Sequence, residues 1–84
     1  MSSNKKLLTK VLGGKHDTSV QFSELQKLLG LLKFELRVKG DHFIYTNSNV
    51  EEIINIQPVN GKAKPYQVKQ VRNLILKYKL GGDL

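Results

Sequence analysis

The chain contains no cysteine. Neither a disulfide framework nor thiolate chemistry is therefore open to it, and the absence fits a reducing compartment. Apolar residues nowhere run on for the roughly 18 positions that a membrane span needs, and the first residues lack the apolar centre of a secretory signal. These absences point to a soluble, cytoplasmic protein without a membrane partner. No glycine-rich phosphate loop and no nucleophile elbow is present, which removes the common nucleotide-hydrolase and serine-hydrolase signatures. No second histidine stands at metal-ligand spacing, and Glu51 and Glu52 read as a solvated pair at the start of a strand. The expected metal and cofactor content is none.

Acidic residues are missing from both ends. Residues 1–16 carry four lysines and no acid, and residues 62–79 carry Lys62, Lys64, Lys69, Arg72, Lys77 and Lys79, again with no acid. The stretch between holds four basic and six acidic groups, so the net charge of +7 belongs mainly to the ends. A basic surface on a small domain points first to a polyanion, most often a nucleic acid. At 84 residues there is room for one domain, burying roughly 60–65% of its unfolded surface.

The most informative stretch is Arg37 to Thr46, reading R-V-K-G-D-H-F-I-Y-T. Gly40-Asp41 makes a two-residue loop between alternating segments, and glycine first suits a type II′ hairpin turn. Closing the turn there sets Lys39 against His42, Val38 against Phe43, Arg37 against Ile44 and Leu36 against Tyr45. Side chains alternate across a strand. Phe34, Leu36, Val38, Phe43 and Tyr45 are thus expected inside, with Arg37, Lys39, His42 and Ile44 on an open face. A slip of one residue would exchange the two sets.

The remaining elements follow from periodicity and punctuation. Met1 to Gly14 reads as a short helix, capped by Ser3 or Asn4, with Leu7, Leu8, Val11 and Leu12 as its apolar stripe. Phe22 to Leu32 is a second helix, with Ser23 and Gln26 at capping-box spacing. A third strand is expected from about Glu52 to Gln57, with Ile54 and Ile56 inside and Pro58 ending it. Pro65 fits the first position of a last helix. There Val68, Val71, Leu74, Ile75 and Tyr78 form the buried arc, while Lys69, Arg72, Asn73, Leu76, Lys77 and Leu80 point away. Gly81-Gly82 is expected to stop that helix and leave residues 81–84 as a loose tail. The predicted class is α+β: helix, helix, three antiparallel strands, helix, with the helices on one face of the sheet.

This order, with Lys39-Gly40-Asp41-His42 opening the second strand, resembles the HicA family of bacterial toxins. Ile54-Asn55-Ile56-Gln57-Pro58-Val59 and Gly61-Lys62-Ala63-Lys64-Pro65-Tyr66 carry the resemblance further. It covers residues 22–80 and leaves 1–21 as an N-terminal extension. The resemblance implies a double-stranded-RNA-binding-domain-like fold, endoribonuclease activity on messenger RNA, and neutralisation by a HicB antitoxin. It also implies that His42 is the catalytic residue. Three positions depart from the family pattern: Asp41 replaces a serine, Phe43 replaces a second histidine, and Lys33 replaces a helix-ending glycine. A left-handed backbone at Lys33 would cost roughly 1–2 kcal/mol.

The chemistry is coherent without the family. RNA carries its own nucleophile, the 2′-hydroxyl, so a nuclease can work with proton transfer and charge stabilisation alone. Histidine suits the proton transfer, a contribution of about 10²–10⁴-fold. Arg37 and Lys39 are expected to act at the scissile phosphate. Lys62, Lys64, Lys69 and Arg72 are expected to track the RNA backbone. The alternative reading is a non-catalytic RNA-binding module, in which the cations before the last helix meet phosphates and no histidine is needed.

Overall fold

In the computed structural model, which describes residues 3–84, the chain forms α1 (Ser3–Gly13), α2 (Phe22–Leu31), β1 (Glu35–Lys39), β2 (His42–Asn47), β3 (Val50–Ile56) and α3 (Pro65–Tyr78). The class is α+β, with two N-terminal helices, a three-stranded antiparallel sheet in the order β1-β2-β3, and a C-terminal helix. Among the described residues, no helix is long and apolar enough to cross a membrane.

The hairpin has the expected register: Lys39 faces His42, Val38 faces Phe43, Arg37 faces Ile44 and Leu36 faces Tyr45. Gly40 has φ 62°, the positive value that a type II′ turn requires of its first loop residue. β3 then pairs with β2, setting Phe43 opposite Ile56, Ile44 opposite Asn55 and Tyr45 opposite Ile54. The ladder is irregular between Tyr45 and Asn47. There the Asn47 amide donates to the Leu32 carbonyl at 3.2 Å and its oxygen accepts the Asn49 N–H at 2.8 Å. One side chain thus ties the β2–β3 turn to the end of α2. At that end Lys33 has φ 69°, so the left-handed backbone does fall on a residue other than glycine.

One apolar core joins all the layers. Leu25, Leu28 and Leu29 of α2, Val68, Val71 and Ile75 of α3, and Tyr45, Ile54 and Ile56 of the sheet are buried together. Leu7, Leu8 and Val11 of α1 belong to the same cluster, and Leu84 packs against it. In β3 the alternation buries Val50, Ile54 and Ile56 and leaves Glu51, Ile53 and Asn55 exposed; in β2 only Tyr45 is fully buried, and Phe43 and Ile44 are both half-buried.

Leu36 and Val38 correct the sequence reading. They lie on the core side of the sheet by register, yet they are 47% and 52% exposed. β1 is an edge strand, and every one of its residues is exposed. The helical layer covers β2 and β3 and stops short of it.

Several element ends differ as well. Asn4 lies inside α1 instead of capping it; the rest of that expectation, at Met1, Ser2 and the Ser3 side chain, lies outside the described residues. The reciprocal cap of α2 is formed by Gln21 and Glu24, two residues ahead of the Ser23 and Gln26 pairing, with the Gln21 N–H donating to Glu24 Oε1 at 2.9 Å. β3 begins at Val50, whose side chain is buried. α3 ends at Tyr78, because Lys79 takes a left-handed conformation (φ 53°) and Leu80 N–H turns back to Ile75 O at 2.9 Å. Leu80 therefore packs against the core instead of pointing away.

Glu52 is not a free solvated carboxylate. Lys77 Nζ donates to it at 2.7 Å and the Tyr78 hydroxyl donates to its other oxygen, which together fasten α3 to β3. The Lys77 hydrogen bond, followed by that of Tyr78, holds the Glu52 carboxyl down at about 2, and Glu52 in turn raises Lys77 above the ordinary lysine value.

Candidate active site

His42 is the first residue of β2 and stands beside the hairpin turn on the face away from the core. Its side chain is 46% exposed, so an incoming ligand can reach the ring. The ring is nevertheless held. Nδ1 lies 3.2 Å from Asn55 Oδ1, and Nε2 lies 3.2 Å from Gln57 Nε2. Asn55 lies near the end of β3 and Gln57 is the residue just beyond it. Strand alternation explains their position: Ile54 and Ile56 turn inward, so Asn55 and Gln57 must turn outward.

The donor and acceptor types carry chemical information. An amide oxygen can only accept and an amide NH₂ can only donate. With the amides oriented as they are, Nδ1 carries the proton and Nε2 presents its lone pair. This pairing suits the tautomer with its proton on Nδ1 and its lone pair on Nε2, where the Gln57 amide donates. Asp41 Oδ1 is 3.8 Å from Nε2, outside hydrogen-bonding distance.

The fixed cations of the hairpin share this face. Lys39 is the direct cross-strand neighbour of His42, and Arg37 is the next outward residue along β1. Both are exposed. Glu35, Leu36, Arg37, Ile44 and Thr46 line a shallow groove further along these two strands.

A second cationic group lies at the same end of the sheet. β3 ends opposite Phe43, and the chain then passes through the loop containing Lys62 and Lys64 into α3. Phe22 joins the parts: its N–H donates to Gly61 O at 3.0 Å, and its ring meets Phe43 edge-on at 5.1 Å. Lys62 and Lys69 are exposed and Lys64 is half-buried. Phe22 thus links the loop to Phe43, the residue that follows His42.

Arg72 is placed differently. Its Nη1 donates to Asp17 Oδ1 at 2.9 Å and to Val11 O at 3.2 Å, and only 16% of its side chain is exposed. It closes the loop after α1 onto α3 instead of pointing away with Lys69. His16 is exposed in that loop, away from His42 in the chain.

Sequence reasoning gave Asn55 and Gln57 no role. Their signal was available in the alternation of Asn55-Ile56-Gln57 opposite the hairpin, but it required knowing which β3 residue faces which β2 residue. Comparisons of this chain with protein-family models, with curated proteins and with solved structures return no match.

Proposed function

We propose that this protein is a HicA-type toxin, an endoribonuclease that cleaves messenger RNA through His42 without metal. The observation that carries the reading is the held imidazole: Nδ1 beside Asn55, Nε2 beside the Gln57 amide, and Lys39 and Arg37 on the same face. The order helix, three antiparallel strands, helix over α2 to α3 supports a double-stranded-RNA-binding-domain-like fold. The net charge of +7 supports a polyanionic substrate.

In this reaction the RNA displaces the Gln57 amide, and Nε2 of His42 takes the proton of a 2′-hydroxyl. The 2′-oxygen attacks the adjacent phosphorus, the P–O5′ bond breaks, and the leaving 5′-oxygen takes a proton from the imidazolium or water. The products are a 2′,3′-cyclic phosphate and a 5′-hydroxyl. Lys39 and Arg37 balance the charge that grows on the phosphoryl oxygens. Asn55 keeps Nδ1 protonated, so that the basic lone pair stays on Nε2. A single base without a dedicated acid implies a slow enzyme. Its partner under this reading is a HicB-type antitoxin, and its compartment is the cytoplasm.

The test is to incubate the purified protein with messenger RNA in excess chelator and analyse the new ends. Fragments ending in 2′,3′-cyclic phosphate support the reading, and intact RNA sinks it. In the second reading, a non-catalytic RNA-binding module, RNA is bound and stays whole. The exposed lysines around the start of α3 favour that alternative, because they need no histidine to hold phosphates.

A further inference from the structure

Tyr66 is the second residue of α3 and is 63% exposed. Among the described residues it is not a member of the core cluster, whereas Tyr45 is buried and Tyr78 packs against that cluster. Its aromatic face is instead attended by a cation: Lys64 Nζ lies 5.8 Å from the ring centroid. Lys69 follows at helical spacing i+3, which puts it on the same side of α3 as Tyr66. Lys62 precedes on the loop, and no acidic residue occurs between 62 and 79.

An exposed ring among lysines is more than phosphate binding requires. Contacts across the groove of an RNA duplex use cations and hydroxyls, with no need for an aromatic plane. Proteins that hold single strands combine cations along the backbone with aromatic faces on which unpaired bases stack. Position adds to the composition. The loop leading to Tyr66 starts where β3 ends beside the hairpin turn, and Phe22 links that loop to Phe43, the neighbour of His42.

We propose that Tyr66, with Lys62, Lys64 and Lys69, is a stacking platform for an unpaired RNA base, so the substrate is single-stranded RNA or a loop. The proposal rests on the RNA reading above and deepens it. A strand whose base stacks on Tyr66 has its backbone beside the lysines and runs around the end of the sheet toward His42. A duplex cannot give up a base to the ring without first unpairing it.

The test uses proteins carrying His42→Ala to prevent cleavage, with Tyr66 retained, changed to Phe, or changed to Ala. Binding is followed by anisotropy at fixed salt for a labelled single-stranded RNA and for its perfect duplex. A 2-aminopurine in the single strand reports stacking by quenching. Tyr66→Ala should weaken single-strand binding roughly ten-fold or more and abolish the quenching, while duplex binding is unchanged. Tyr66→Phe should keep both affinity and quenching. Undiminished single-strand binding in Tyr66→Ala overturns the platform and leaves the RNA reading standing. Equal loss for single strand and duplex also overturns it. If the protein that retains Tyr66 binds neither RNA, the platform and the RNA reading fall together.

Discussion

Asn55 Oδ1 sits 3.2 Å from Nδ1 of His42, so the strand next to the hairpin, and not the hairpin itself, orients the imidazole. That relationship makes the site a property of the sheet. It forms only when β3 pairs with β2 in the register that sets Ile44 against Asn55.

Asn55→Ala removes the acceptor on Nδ1 and frees the ring to turn or change tautomer. Single-turnover cleavage should fall by about ten- to a hundred-fold, the scale of a misplaced catalytic group, with the circular dichroism spectrum unchanged. The ring nitrogen shifts of His42 should move from the Nδ1–H tautomer toward a mixture. An unaltered rate with an altered tautomer would mean that Asn55 does not position the base.

The two faces of the hairpin give a stability test. Phe43 meets Phe22 edge-on and packs against the core. Phe43→Ala should cost about 2–3 kcal/mol, short of the figure for a fully buried phenylalanine. Leu36→Ala and Val38→Ala should each cost less than about 1 kcal/mol, because half of each side chain is already in water. Denaturant midpoints decide the point. Large losses at Leu36 and Val38 would mean that the helical layer reaches β1.

Leu36 and Val38 also mark what was legible in the sequence. Alternation specifies which side of a strand a residue faces, and it did so in the hairpin and from Ile53 to Ile56. It does not specify how wide the covering layer is, since that depends on helix packing far from β1. Lys33 was legible in the opposite sense: a glycine expected by resemblance and absent pointed to the left-handed backbone found there. Arg72 was not legible, because its position on α3 is that of a solvent-facing cation and its partner Asp17 is far away in sequence. At the candidate site, His42, Arg37 and Lys39 came from the hairpin alone, while Asn55 and Gln57 needed the β2–β3 register.

Arg72 gives a further prediction. It is largely enclosed and donates to Asp17 and to the end of α1. Arg72→Ala should therefore destabilise the fold by about 1.5–3 kcal/mol, the range for a charged hydrogen bond. At a temperature where the variant is folded, RNA affinity and its salt dependence should match those of the unchanged protein. A stable variant with weakened, less salt-sensitive binding would return Arg72 to the RNA surface.

The link between Glu52, Lys77 and Tyr78 sets a pH dependence. The folded protein holds the Glu52 carboxyl at about 2, below the ordinary 4.5 of an unfolded chain. Because the folded value is the lower one, the link contributes stability above about 4.5 and loses it as pH falls toward 2. The carboxyl carbon of Glu52 should titrate near the bottom of that window, and Glu52→Gln should remove this part of the acid sensitivity. A Glu52 titration at the ordinary value would show that the link does not persist in solution.

The central claim is that His42 performs the chemistry without being needed for the fold. The most direct measurement is single-turnover cleavage of saturating RNA by the unchanged protein and by His42→Ala, alongside their unfolding curves. His42 is exposed on the open face, so the substitution should shift stability by no more than about 0.5 kcal/mol. Cleavage should fall by at least about 10²-fold, as expected on losing a general base, with RNA affinity retained. A folded His42→Ala protein that cuts RNA at the original rate would contradict the account.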